Sequence, residues 1–92
     1  MAYRSKLRDA AALIFTPEGK LNPETWCRGG ISPKYCSVTA ASACNADIKI
    51  LSGASRSLCC GTMIWANDDH PELLPDIWSE AIEADEALNG GE

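Results

Sequence analysis

The sequence predicts an all-α fold, a compact bundle of four or five short helices forming a single helical domain over residues 1–92. Three observations lead to it. Apolar residues recur at helical spacing in both terminal segments, as on the buried face of an amphipathic helix. Two internal segments are apolar on nearly every side, the pattern of helices inside a bundle. Cap-then-proline pairs and glycine-containing breaks separate these segments at short intervals. An apolar fraction of 46% supports one modest core and argues against wholesale disorder.

Ser5 can cap a first helix over residues 6–15, where Leu7, Ala10, Ala11 and Ile14 fall at i, i+3, i+4, i+7. Thr16-Pro17-Glu18-Gly19 then supplies turn chemistry, since proline pre-sets φ and glycine tolerates a positive one. Asn22-Pro23 reads as a cap followed by a first helical position. The helix it opens, over residues 24–27, is short because Gly29-Gly30 ends it, and Trp26 is expected to anchor it to the core. Ser32-Pro33 repeats the signal and opens a helix over residues 33–46. Cys36, Ala40, Ala43 and Cys44 form one stripe of it, with Val38 and Ala41 opposite. Ile48-Lys49-Ile50-Leu51 reads either as a short strand or as the lead into the next helix.

Ser52-Gly53-Ala54-Ser55 reads as a break, with Ser55 capping a helix over residues 55–65. Gly61 inside that helix costs about 1 kcal/mol of propensity relative to alanine, which implies close packing there. Residues 67–71 read as a loop in which Asn67, Asp68 and Asp69 cap the next helical segment, and residues 71–74 as one turn. Pro75 fits the first position of a final helix ending near Leu88, before Asn89-Gly90-Gly91. Ile77, Trp78, Ala81, Ala84 and Leu88 share one face of it. Asp76, Glu80, Glu83 and Ala87 share the opposite face. Asp85 falls toward the apolar side, where an unpaired charge is costly, so a basic partner such as Arg4 or Arg8 is expected for it.

Charge is strongly segregated along the chain. The first 56 residues hold Arg4, Lys6, Arg8, Lys20, Arg28, Lys34, Lys49 and Arg56 against Asp9, Glu18, Glu24 and Asp47, a balance of +4. The last 36 hold Asp68, Asp69, Glu72, Asp76, Glu80, Glu83, Asp85, Glu86 and Glu92 with no basic residue, a balance of −9, which makes the net −5. Glu83, Asp85 and Glu86 also oppose the helix dipole near its C-terminal end. A helix that accepts such charges without basic partners at i,i+4 suggests that the charges serve a binding partner.

Five cysteines, Cys27, Cys36, Cys44, Cys59 and Cys60, are separated by eight, seven, fourteen and no residues. An odd count without an export signal argues against a disulfide framework, and the gaps lack zinc-knuckle spacing. They read as reduced, metal-free, small buried hydrophobes. No run approaches the roughly 18 apolar residues of a membrane span. The N-terminus starts basic and then turns apolar, but Asp9 interrupts it and no cleavage site is evident, so a cytoplasmic protein is expected.

Three segments, LRDAAALI, YCSVTAASA and WANDDHPELLPDIWSEAIEAD, together resemble a family of small actinobacterial and phage proteins classed as a domain of unknown function. Cys36, Ala40, Trp65, Asn67 and Asp68 match its pattern, whereas Thr39 stands where glycine is expected and Ala66 separates Trp65 from Asn67. The resemblance implies an all-helical fold and a phage or mobile-element setting, and it supplies no catalytic residues.

The function expected from these features is non-enzymatic. Asp68, Asp69, Glu72, Asp76, Glu80, Glu83 and Glu86 form a candidate partner-binding face. It would imitate the charge spacing of a nucleic-acid backbone and occupy a basic groove on a host protein, as inhibitors of bacterial immune nucleases of the anti-CRISPR class do. The alternative is a structural or adaptor domain whose acidic face is only solvated. An enzyme would have to use Asp68, Asp69 and His70, adjacent residues that converge only if a loop folds them together, and no phosphate loop or nucleophile motif is present. Direct nucleic-acid binding through Arg4, Lys6, Arg8 and Arg28 is opposed by a pI near 4.7. No cofactor, metal or membrane is expected, and the segregated charges give no oligomeric state.

Overall fold

Local chemistry places each helix boundary. The computed structural model describes residues 4–28 and 34–89. Ser5 caps α1 (Lys6–Ile14), its hydroxyl accepting from the Leu7 amide. The chain then reverses at Gly19, whose φ of +86° suits glycine, so that Phe15 and Leu21 pair as an isolated bridge. Residues 22–26 form a single turn, not a helix: the Asn22 carbonyl accepts from the Thr25 and Trp26 amides, and its side chain accepts from the Glu24 amide. Tyr35 then bridges Trp26, exchanging backbone bonds with Thr25 and Cys27.

That pairing shortens the next helix. α2 runs over Ser37–Ala43 only, because the Tyr35 backbone is extended and Cys36 becomes the N-cap. The Cys36–Thr39 capping box replaces the expected Ser32 cap; Ser32 and Pro33 lie outside the described residues. Asn45, at φ +55°, ends the helix. Its amide bonds to the Ser42 carbonyl and the Ala46 amide to the Ala41 carbonyl, a complete Schellman closure. Ala40 and Ala41 are buried, but Ser42 and Ala43 are exposed, so α2 is less enclosed than its composition suggests.

The largest difference from expectation lies between residues 48 and 69. Residues 52–55 do not break the chain. Asp47 caps α3 (Ile48–Cys59), which passes straight through Gly53. Leu51, Ala54 and Ser55 lie at i, i+3, i+4 and are buried, and that face outweighs the propensity penalty of one exposed glycine. Ile48–Leu51 is therefore helix. The break falls at Cys60, left-handed at φ +57°, and Gly61, whose carbonyl accepts from the Ser55 hydroxyl at 2.9 Å. Thr62 then caps α4 (Met63–Asp69) through the Trp65 amide. Gly61 is the close-packing residue expected, for a reason specific to this break: a Cβ there would sit 2.3 Å from Cε3 of Trp65.

Residues 67–69 are consequently helical, not loop. A 3₁₀ turn (Pro71–Leu73) comes next, and α5 (Leu74–Asn89) closes the chain. Leu74, Ile77, Trp78 and Ala81 bury one face of α5 against α3 and α1, with Trp78 edge-on to Phe15. α1 and α5 are antiparallel, since Ser5 meets Asp85 while Phe15 meets Trp78. Leu88, expected on the apolar face, is exposed because it lies a turn beyond the point where α1 begins.

Asp85 is 4% exposed, and its partner differs from the expected arginine. The Ser5 hydroxyl donates to one carboxylate oxygen and the Asn89 amide to the other. Arg8 instead forms a two-bond pair with the neighbouring Glu86, and Arg4 pairs with Asp9. These two described donors, a hydroxyl and an amide, hydrogen-bond the buried carboxylate without themselves adding a charge.

One buried amide joins three parts of the chain, and a neighbouring hydroxyl adds a fourth. Asn67 is 1% exposed, and its Oδ1 accepts from the Trp26 indole at 3.0 Å and the Ser37 amide at 2.9 Å. The Trp78 indole donates to the Ser37 hydroxyl at 3.0 Å. Asn67→Ala should therefore cost about 2–6 kcal/mol, from two donors left unsatisfied at about 1–3 kcal/mol each. Asp69→Asn, on the exposed side of the same helix, should cost no more than about 0.5 kcal/mol. Urea unfolding of both variants checks this, and equal midpoints would contradict the assigned role.

Candidate functional site

The solvent-facing residues of α4, the 3₁₀ turn and α5 include a run of carboxylates. With Asn67 turned inward, helical geometry turns Trp65 and Asp69 outward, while Ile64, three residues before Asn67, is exposed on the flank of the buried face. Asp69, Glu72, Asp76, Glu80 and Glu83 reach solvent, Asp76 and Glu83 among them. Residues 72, 76, 80 and 83 follow one side of the final helix and its lead-in, at spacings of four, four and three. Asp76, Glu80 and Glu83 make no ion pair among the described residues.

Three of the candidate residues are engaged within the molecule. Asp68 is half-buried and accepts from the Asn67 amide at 3.1 Å. Glu72 meets Nδ1 of His70 at 3.0 Å, and this hydrogen bond lowers its pKa below the usual carboxylate value. The His70 ring lies 4.4 Å from that of Trp65, which covers Gly61. Glu86 is held by Arg8, with one bond of 2.8 Å, and is half-buried between helices. The Arg8 hydrogen bond lowers the pKa of Glu86, and the same bond raises that of Arg8. Glu86 therefore fastens α5 to α1 and is not part of the open carboxylate strip.

The alternative sites are less assembled. His70 is bonded to Glu72 and Asp68 to Asn67, and no hydrogen bond is seen among Asp68, Asp69 and His70 in the described residues. Among the described residues, no three His, Cys, Asp or Glu side chains converge as metal ligands. The cysteines are not uniformly the small buried side chains expected: Cys36 is buried and caps α2, Cys59 is half-buried and donates to the Ser55 carbonyl, and Cys60 is exposed. Of the proposed basic patch, Arg4 and Arg8 are spent on Asp9 and Glu86. An open groove of about 470 Å³ lies between α1 and α5, but Arg8 is the one titratable group lining it among the described residues. No helix is long and apolar enough to cross a membrane among the described residues.

Two features of this side are not anticipated by the sequence pattern. Ile64 is 64% exposed and Trp65 38%, although the apolar run around them points to a core helix. Beside Ile64 is a groove of about 240 Å³ bounded by Val38 and Thr39, with Cys36, Asn67 and Asp68 completing its lining. The signal that could have found them is Cys60-Gly61-Thr62. Starting α4 after a threonine cap puts Met63, Ala66 and Asn67 on the buried face, Trp65 on the opposite one and Ile64 on the exposed flank between them.

The Arg8–Glu86 pair predicts a pH dependence. Because folding lowers the Glu86 pKa, the pair adds stability above the ordinary carboxylate range and loses it as pH falls through the lowered value. Wild type should melt higher than Glu86→Gln at neutral pH, and the gap should close between about pH 5 and pH 3. Thermal melts across that range check it, and a gap that persists or widens in acid would contradict it.

Comparison with protein-family models, curated proteins and solved structures finds no match to this chain.

Proposed function

We propose that this protein is a non-enzymatic binding module whose carboxylate strip engages a Lys/Arg-rich groove on a protein partner. One observation carries this reading: Asp76, Glu80 and Glu83 line α5 without a pairing cation among the described residues. Like charges at i,i+4 destabilise a helix by about 0.2–0.5 kcal/mol each, and a cationic partner surface relieves that repulsion. A field of this sign also steers association with a basic groove over distances of about 10 Å at ordinary salt.

A groove shaped to hold a nucleic-acid backbone is the kind of surface such a strip would occupy. In this reading the protein acts in the cytoplasm of a bacterial host as a phage or mobile-element inhibitor of a defence complex. That setting follows the resemblance of the three sequence segments, and it requires no catalytic residue, metal or cofactor.

The test begins with pull-downs from bacterial lysate at low and high salt to identify the partner. Its affinity is then measured for wild type and for Glu80→Lys/Glu83→Lys. The double reversal should weaken binding at least about tenfold, mainly by slowing association, while fold stability changes by no more than about 0.5 kcal/mol per site. Unchanged affinity with the fold intact would assign the acidic face to solvation alone.

A further inference from the structure

Charge pairing does not explain one apolar feature of α4. Ile64 projects into solvent at the edge of the groove it shares with Val38 and Thr39. Its exposure follows from how α4 is anchored. The Thr62 cap sets where the helix begins, and Asn67 must face inward to receive the Trp26 and Ser37 donors. Met63 and Ala66 turn inward with it, which puts Trp65 on the opposite face, while Ile64 is exposed on the flank beside Asn67, where it borders the groove.

The groove's size limits what it can hold. About 240 Å³ lies below the roughly 300–1,000 Å³ of small-molecule sites, and the described lining is mostly apolar with Asp68 as its one charged residue. It suits one large aliphatic or aromatic side chain. The surroundings select what flanks that side chain. Asp68 is part of the wall, Asp69 is its chain neighbour, and Glu72 is exposed in the next turn. No lysine or arginine pairs with any of the three among the described residues. Anionic occupants, such as a nucleic acid, an acidic peptide or an anionic lipid surface, are disfavoured by that field.

We infer that the Ile64–Val38 groove is a docking site for a cationic amphipathic segment of the partner protein, which inserts one apolar side chain while its lysines and arginines meet Asp68 in the groove wall and the exposed carboxylates that follow it in the chain. The inference rests on the acidic-strip reading and adds to it an apolar anchor, so that the surface recognises a pattern and not charge alone. An apolar centre with a polar rim is the usual anatomy of a protein interface.

Three synthetic helical peptides test it: an amphipathic Lys/Leu peptide, a Lys/Gln peptide of equal charge, and a Glu/Leu peptide of equal apolar content. Fluorescence anisotropy gives the affinities, and amide chemical shifts on wild-type protein give the location. The Lys/Leu peptide should bind at least about tenfold more tightly than Lys/Gln and shift the amides of Val38, Thr39 and Ile64. Ile64→Ser should remove that advantage and leave Lys/Gln binding unchanged, while Glu/Leu should not bind. Equal affinity for the two lysine peptides, no effect of Ile64→Ser, or shifts confined to α5 would overturn the anchor and leave the acidic strip standing. Failure of both lysine peptides to bind would overturn both readings, and Glu/Leu binding as tightly as Lys/Leu would overturn the charge selection.

Discussion

The amide oxygen of Asn67 is the junction on which the arrangement of this chain depends. It accepts from the Trp26 indole and from the Ser37 amide at the start of α2, while the Trp78 indole of α5 reaches the Ser37 hydroxyl. The turn at residues 22–26, α2, α4 and α5 are thus tied through a few polar atoms inside a small core. Apolar contacts alone tolerate rotation and sliding of short helices, especially alanine-rich ones with few interlocking side chains. A buried amide with two fixed donors does not, because any rotation of α4 strands polar groups away from water.

The outer surface is a consequence of that constraint. α4 has seven residues, so directing Met63, Ala66 and Asn67 inward leaves a narrow choice of residues facing out. Ile64, Trp65 and Asp69 take those positions, and the acidic run continues along α5. The other end of α5 is secured differently. Ser5 serves Asp85 with the same hydroxyl that caps α1, and Arg8 holds Glu86 one residue on. Both contacts bring donors to the C-terminal part of a helix whose own acidic residues oppose its dipole. The acidic residues of α5 therefore divide into two sets: Asp85 and Glu86 hold the fold together, and Asp76, Glu80 and Glu83 face outward.

How much of this is legible in the sequence depends on how local the signal is. The all-α class, the Ser5 cap, the Gly19 turn and the extent of α5 rest on caps, turn residues and periodicity within a few positions. The outward placement of Asp76, Glu80 and Glu83 comes from the same periodicity. Legibility fails where two local signals compete. Ser52-Gly53 looks like a break and Cys60-Gly61-Thr62 looks like helix, yet tertiary burial of Leu51, Ala54 and Ser55 decides the opposite. Moving that boundary turns Asn67 from a loop cap into a buried junction, and Ile64 and Trp65 from core into surface. Pairings between distant residues are out of reach for another reason. Spacing can say that Asp85 needs a partner, but choosing Ser5 over Arg8 requires knowing where α1 sits against α5.

Native-state hydrogen exchange tests the Asn67 junction most directly. The Ser37 amide and the indole N–H groups of Trp26 and Trp78 share one network, so all three should open together, with a free energy close to that of global unfolding. Rapid, surface-like exchange at Ser37 or at the Trp26 indole, while the core amides of α5 stay protected, would show that Asn67 does not hold the helices in place.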